Sequence, residues 1–480
     1  MNLFNFALVT LFIVNMLLAI LLIFIERRNP TSTWAWLVVL FILPGIGFFL
    51  YLLLGQNFHR KKMFDLKSEE DALHKKLLLQ NEELIQAKLT INDSKVDRYI
   101  DMVRMNYRYS NSLYTQNNGV KIYTNGNDKF TQLIEDIRGA KHHIHIGYYI
   151  YKPDKIGNEI LEELIIKAKK GIKVRLLYDA MGGRTIPKHF FDELKKAGGK
   201  VAIFFPSKIP HFNIRVNYRN HRKIAVIDGK IGYVGGLNIG DEYLGRSKIF
   251  GYWRDTHLRI CGDAVDSLQK RFLLDWRYAS EEEIHFHKKY FPIKADCGTT
   301  GIQIVTSGPD AEEQEIKNGY LKMIQSAKKR IYIQSPYFVP DDSILESLRI
   351  AALSGVDVKI MIPNMPDHPF VYWATYSYVG DLIKSGVRSY KYNKGFLHAK
   401  TIVVDGEIAS VGTANMDIRS YKLNFEVNAF IYDHNVAGEI EKIFNEDIKE
   451  SEEITKNLYD KRSKRIQFKE SIARLLSPIL

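Results

Sequence analysis

The hydrophobic pattern of the chain changes character twice, and each change marks a different kind of element. Residues 3–25 are apolar apart from Asn5, Thr10 and Asn15 and carry no charge. A helix of that length rises about 34 Å at ~1.5 Å per residue, enough for a hydrocarbon core of ~30 Å. Residues 34–54 form a second uncharged stretch, with Trp34, Trp36 and Tyr51 towards its ends and Pro44, Gly45 and Gly47 inside it. That pattern predicts a second, kinked helix with interfacial aromatics. The connector, residues 26–33, is short, so the two helices are expected to form a transmembrane hairpin. From residue 67 to about 108, Leu, Ile and Met recur among Glu and Lys, which predicts an exposed amphipathic helical spacer.

Beyond residue 119 strand-like and helix-like segments alternate, and the alternation occurs twice. A helical pattern over 129–138 leads into the apolar run 144–150, as 320–327 leads into 331–338. A helix over 158–170, Gly171 and a strand over 172–178 are matched by 343–354, Gly355 and 356–362. Such alternation predicts a duplicated α/β sheet. The expected divisions are a hairpin at 1–57, a spacer at 58–118, a first half at 119–290 and a second half at 291–480, with a basic amphipathic tail from residue 461.

Each half then carries one motif at identical spacing. Asn220-His221-Arg222-Lys223-Ile224-Ala225-Val226-Ile227-Asp228-Gly229 and Leu397-His398-Ala399-Lys400-Thr401-Ile402-Val403-Val404-Asp405-Gly406 both read His-x-Lys-x4-Asp. After six more residues each reaches a glycine-led turn ending in asparagine, Gly235-Gly236-Leu237-Asn238 and Gly412-Thr413-Ala414-Asn415. The β-branched residues after each lysine place His-x-Lys at the start of a strand, where a period of two sends both side chains to one face. Such a site would hold a phosphate.

Composition narrows the partners without choosing one. The formal net charge of +13 favours polyanions, either nucleic acid or an anionic membrane surface. Two cysteines, Cys261 and Cys297, give no disulfide framework. Arg27 and Arg28 lie in the hairpin loop, against Arg60, Lys61, Lys62, Lys67 and Lys75 after the second helix. The positive-inside rule therefore predicts a multi-pass protein of the cell membrane, with its catalytic domain on the cytoplasmic side.

Phosphodiester exchange needs a nucleophile, an acid for the departing alkoxide and donors around the phosphoryl oxygens. His221 and His398 supply the first two, in an order that the near-symmetric copies leave open. Lys223, Lys400, Asn238 and Asn415 supply phosphate-binding charge and donors, and the set calls for no metal and no cofactor. Asp228 and Asp405 complete the motifs and are grouped with the catalytic residues. Their position past the lysines nevertheless favours a structural hydrogen-bonding role.

The two motifs resemble those of the phospholipase D superfamily. That resemblance implies a duplicated phospholipase D-like α/β domain with one shared active site, following the transmembrane hairpin. It also implies a covalent phosphohistidine on His221, with His398 as acid and then base. In this superfamily an acid after each motif orients its histidine, which singles out Asp255, in Trp253-Arg254-Asp255, and Glu426, in Asn424-Phe425-Glu426.

Within the superfamily the order of parts resembles the bacterial cardiolipin synthases, as do the runs Gly412-Thr413-Ala414-Asn415-Met416-Asp417-Ile418-Arg419-Ser420 and Ala473-Arg474-Leu475-Leu476-Ser477-Pro478. The expected activity is then transfer of a phosphatidyl group between two phosphatidylglycerols, giving cardiolipin and glycerol. The expected partners are phosphatidylglycerol and anionic membrane lipid, with no nucleic acid. The readings set against it are a hydrolytic phospholipase D, a membrane-tethered nuclease of the same fold and a non-catalytic lipid-surface scaffold.

Overall fold

Two sheets with one strand order organise residues 118–432. The computed structural model describes residues 3–25, 30–47, 50–51, 91–206, 217–280, 282, 284, 287–311, 313–365 and 367–477. In the first half the strands run Asn118–Tyr123, His257–Gly262, Ile231–Gly235, Ile224–Ile227, His143–Tyr148, Lys173–Asp179, Lys200–Phe204. In the second they run Gly301–Ser307, Asn424–Tyr432, Ile408–Gly412, Thr401–Val404, Arg330–Gln334, Asp357–Pro363, Arg388–Tyr392. The last three strands of each series are parallel and the rest antiparallel. Helices Lys155–Lys169 and Asp342–Leu353 make the corresponding crossovers. The chain is thus a duplicated α/β protein.

Apolar residues at the centres of both sheets are sealed from water. Ile144, Ile146, Leu176, Ala225 and Ile227 anchor one core, and Ile331, Ile333, Ile360, Ile402 and Val404 the other. The second core also takes in Ile91, Val96, Tyr99, Met102 and Val103. Tyr114–Thr115 adds an edge strand against Gly301–Ser307, and Asn106 Nδ2 donates to Gln303 Oε1 at 3.2 Å. The stretch expected to be an exposed spacer is therefore, from residue 91 onward, part of the second half. An amphipathic helix has one pattern whether its apolar face meets solvent-side partners or a core. Residues 58–90, the remainder of that expectation, lie outside the described residues, as do residues 52–57 of the expected hairpin.

Each motif aspartate sits in a tight Asp-Gly turn, with φ of 54° and 65° at Asp228 and Gly229 and 57° and 69° at Asp405 and Gly406. The Asp228 carboxylate accepts the backbone N–H groups of Lys141, His142 and His143 at 2.8, 2.7 and 3.0 Å. Asp405 accepts those of Lys328, Lys329 and Arg330, all at 2.8 Å, and pairs with Arg98 at 2.5 Å. Both carboxylates fasten the entry of the neighbouring strand at the end remote from the histidines. These bonds fit the structural hydrogen-bonding role that the position of Asp228 and Asp405 past the lysines favours. Asp405→Asn keeps a side chain that tolerates the left-handed turn but removes the charge from these bonds. We expect it to cost about 1.5–3 kcal/mol in urea unfolding while folded protein keeps its specific activity. Lost activity at unchanged stability would contradict this role.

The N-terminal helices Leu3–Ile25 and Pro30–Ile42 belong to a unit of their own. Asn15 Nδ2 donates to the Leu40 carbonyl at 2.9 Å, and Ala19, Leu37, Leu40 and Tyr51 are buried between them. The second helix is interrupted at Leu43-Pro44-Gly45, where Gly45 takes a φ of 79°, and helical backbone resumes at residues 46–47 and 50–51. Side chains of the first helix are described over residues 9–21, and among the described residues no helix is long and apolar enough to cross a membrane. At the other end of the chain, helix Lys464–Leu475 packs on helix Pro369–Ile383. There Arg474 pairs with Asp381, and the Ser477 and Tyr378 hydroxyls lie 3.1 Å apart.

Candidate active site

The two histidines meet through strand pairing between the halves, and the pairing is crossed. Arg219-Asn220, just before His221, pairs in parallel with Asn424-Phe425, just before Glu426. Gly395–Leu397, just before His398, pairs in parallel with Tyr252–Arg254, just before Asp255. The His221 backbone N–H donates to Phe425 O at 2.9 Å, and that of His398 to Arg254 O at 2.7 Å. Each histidine is therefore fixed by the opposite half. His398 Nδ1 lies 2.7 Å from Asp255 Oδ2, and His221 Nδ1 lies 3.3 Å from Glu426 Oε1. Both carboxylates are fully buried. His-x-Lys itself precedes the strands Ile224–Ile227 and Thr401–Val404 instead of opening them. Freed from the ladder, Lys223 and Lys400 turn back so that each Nζ donates to the carbonyl of its own motif histidine, at 2.7 and 2.5 Å.

Burial governs the electrostatics. It pushes His221 down to about 4, with Glu426 opposing the fall and Lys223 and Arg419 adding to it. His398 is lowered by burial and by Lys400, against the pull of Asp255. Lys223 falls to about 8 and Lys400 to about 7, again through burial, while Asp255 and Glu426 raise both. Lys400 also feels Lys223, so the charges of both halves act on one another. At neutral pH His221 is a neutral base beside two lysines poised to take up an anion's charge.

Further residues shape the site that motif reading had not assigned. The Asn424 amide stands 3.2 Å from His221 Nδ1, and the Tyr149 ring lies 4.2 Å from the His221 ring, centroid to centroid. Trp253 packs 5.2 Å from His398. Arg222 donates from Nε to Glu426 O at 3.1 Å and pairs with Asp275 at 2.7 Å, fixing the backbone that carries Glu426. For Asn424, Trp253 and Arg222 the legible signal is proximity in sequence to a motif histidine or its acid, and for Tyr149 it is a place at the end of a strand. Asn238 and Asn415 are tied into their own loops. Asn238 Oδ1 accepts the Ile150 N–H at 3.1 Å and its Nδ2 donates to the Tyr243 hydroxyl at 3.2 Å. The Asn415 amide donates to Asp417, a buried carboxyl raised to about 6.

Comparison with known proteins then decides the family. The description "cardiolipin synthase, PLD-like domain" matches residues 133–249 and 320–448, and "phospholipase D-nuclease N-terminal" matches residues 13–56. The chain is 52% identical to a cardiolipin synthase of Listeria innocua, covering 100% of both chains. It is 53% identical to the major cardiolipin synthase of Bacillus subtilis, covering 98% of each. The chain belongs to the cardiolipin synthase family.

As a cardiolipin synthase it is a phosphatidyltransferase. The two matched segments hold His221, Lys223 and Asn238 in one and His398, Lys400, Asn415 and Glu426 in the other. A phosphatidylserine synthase from Haemophilus influenzae shares the fold, with a TM-score of 0.61 over 79% of this chain and 100% of that one, at 17% identity.

Proposed function

We propose that this cardiolipin synthase moves a phosphatidyl group from one phosphatidylglycerol to the headgroup hydroxyl of another, through a phosphohistidine on His221. The observation that carries the reading is the crossed pairing, which gives each of two part-buried histidines a buried carboxylate from the other half. In the first step His221 Nε2 attacks phosphorus, the bond to the glycerol oxygen breaks, and a proton from His398 Nε2 neutralises the departing alkoxide. In the second step the acceptor hydroxyl gives its proton to His398 and attacks phosphorus, and the P–N bond breaks. Lys223 and Lys400 balance the phosphoryl charge, and Asn238 and Asn415 add amide donors. Asp255 and Glu426 hold the Nδ1–H tautomers, leaving Nε2 of His221 free to attack. With pure phosphatidylglycerol vesicles one glycerol should appear per cardiolipin, with little phosphatidic acid. Phosphatidic acid as the main product would reassign the chain to hydrolysis.

The N-terminal unit serves in this account as a membrane hairpin, with the catalytic body on the cytoplasmic side. The uncharged run of residues 3–25 and the outward-facing Phe12, Leu17, Phe41 and Ile42 support that role. Anchoring contributes local concentration at the bilayer and no reacting group. Removal of residues 1–55 is expected to lower activity on vesicles several-fold more than on detergent-dispersed lipid, by roughly the loss of effective concentration. Equal losses on both would mean that the hairpin shapes the active site.

A further inference from the structure

A transferase that joins two phospholipids must accommodate two phosphates, and the two motifs account for one of them. Arg219 stands two residues before His221 and is 2% exposed. Among the described residues its Nη1 and Nη2 have no hydrogen-bond partner. A buried guanidinium with both terminal nitrogens idle is costly, and natural interiors leave few such groups without a ligand. The nearest carboxylate in its electrostatic surroundings is Asp179, whose oxygens are spent on the backbone N–H groups of Asn220 at 2.9 Å and Met181 at 2.8 Å.

Arg219 lies in the short strand that runs into His221 and pairs with Asn424-Phe425 of the other half. The Tyr149 ring lies 4.2 Å from the His221 ring, and Arg219 acts electrostatically on its phenol. The Tyr149 phenol is pushed up by burial and by Asp179, and pulled back by Arg219, Arg419 and Arg184. Three cations thus act on one phenol against a single carboxylate, and Arg419 acts on His221 as well. Arg184 and Arg219 come from the first half and Arg419 from the second, so the cluster, like the histidine pair, draws on both. In an extended segment residues i and i+2 face one side and lie roughly 6.6 Å apart. The three-carbon glycerol of a headgroup, with its two terminal oxygens, can bridge such a gap between a phosphate and a reacting hydroxyl.

We propose that Arg219 binds the phosphodiester of the acceptor lipid and so presents its headgroup hydroxyl to the phosphohistidine. This rests on the two-step transfer given above and adds where the second lipid sits. An acceptor carrying its own phosphate is favoured over water and over uncharged alcohols because the subsite supplies the charge that it needs.

The test compares an anionic with an uncharged acceptor on the same phosphohistidine. Full-length protein and its Arg219→Gln variant are given phosphatidylglycerol vesicles with ethanol, and cardiolipin and phosphatidylethanol are quantified by mass spectrometry. The ratio of cardiolipin to phosphatidylethanol is expected to fall roughly 10- to 100-fold in the variant, the span of a lost charge-assisted contact. Arg219→Lys, which keeps the charge, should recover most of that ratio, and Arg219→Met, for which the same fall is expected, carries the comparison if the glutamine variant does not fold. An unchanged ratio overturns the proposal. Loss of both products together in both variants assigns Arg219 to the scissile phosphate or to the fold and overturns it equally. Wild-type protein that makes phosphatidylethanol but no cardiolipin would instead refute the proposed function, a separate failure.

Discussion

His221→Ala and His398→Ala are each expected to remove cardiolipin formation to below about one part in 10³ of the unaltered rate, with the fold intact. His221 sits at about 4 and so enters neutral solution with its lone pair available. Without it no P–N bond forms, and the surrounding lysines can only bind. Without His398 the glycerol alkoxide departs unprotonated and the acceptor hydroxyl keeps its proton, so both halves of the cycle stall. Both residues lie just before the strands Ile224–Ile227 and Thr401–Val404, and neither side chain belongs to a hydrophobic core. The loss should therefore register in turnover and not in urea unfolding. Activity within about ten-fold of normal in either variant would remove the two-histidine site.

The second large effect concerns the acids. Glu426→Gln and Asp255→Asn should each cost roughly 10²–10⁴-fold in turnover, because an amide cannot stabilise the charged ring or fix its tautomer as a carboxylate does. The crossed geometry makes the two variants distinguishable. Glu426 faces His221 at 3.3 Å and Asp255 faces His398 at 2.7 Å. A phosphatidyl donor with a nitrophenolate leaving group needs no acid to depart. With that donor the first step of Asp255→Asn should recover substantially, seen as a burst of nitrophenolate, whereas Glu426→Gln should stay slow. The reverse pattern would mean that each acid serves the histidine of its own half.

How far the sequence reached can be judged residue by residue. The duplication was legible because helix, strand and motif recur at matching spacings, and the sheets repeat one strand order. The crossing of the acids was not. It depends on pairings such as Asn424 with Arg219, separated by two hundred residues of chain whose local pattern carries no sign of partner choice. Asp228 and Asp405 entered the catalytic group through motif membership, and only their three-fold grip on backbone N–H groups separates fastening from chemistry. His-x-Lys was expected inside a strand because the residues that follow it are β-branched, but the ladder begins after each lysine. Periodicity from residue 67 to about 108 reports the existence of an apolar face and not what covers it, and from residue 91 the second core does. Arg219 gave no signal at all, since an arginine's lack of partners is a property of the folded chain alone.

The most direct test of the account looks for the covalent intermediate itself. His398→Ala protein is mixed with phosphatidylglycerol carrying an activated leaving group, digested under conditions that preserve phosphoramidates, and its peptides are mapped by mass spectrometry. The predicted result is a phosphatidyl adduct on His221, absent when His221 is also replaced by alanine. An adduct on another residue, or turnover with no adduct on any histidine, would contradict the two-histidine mechanism.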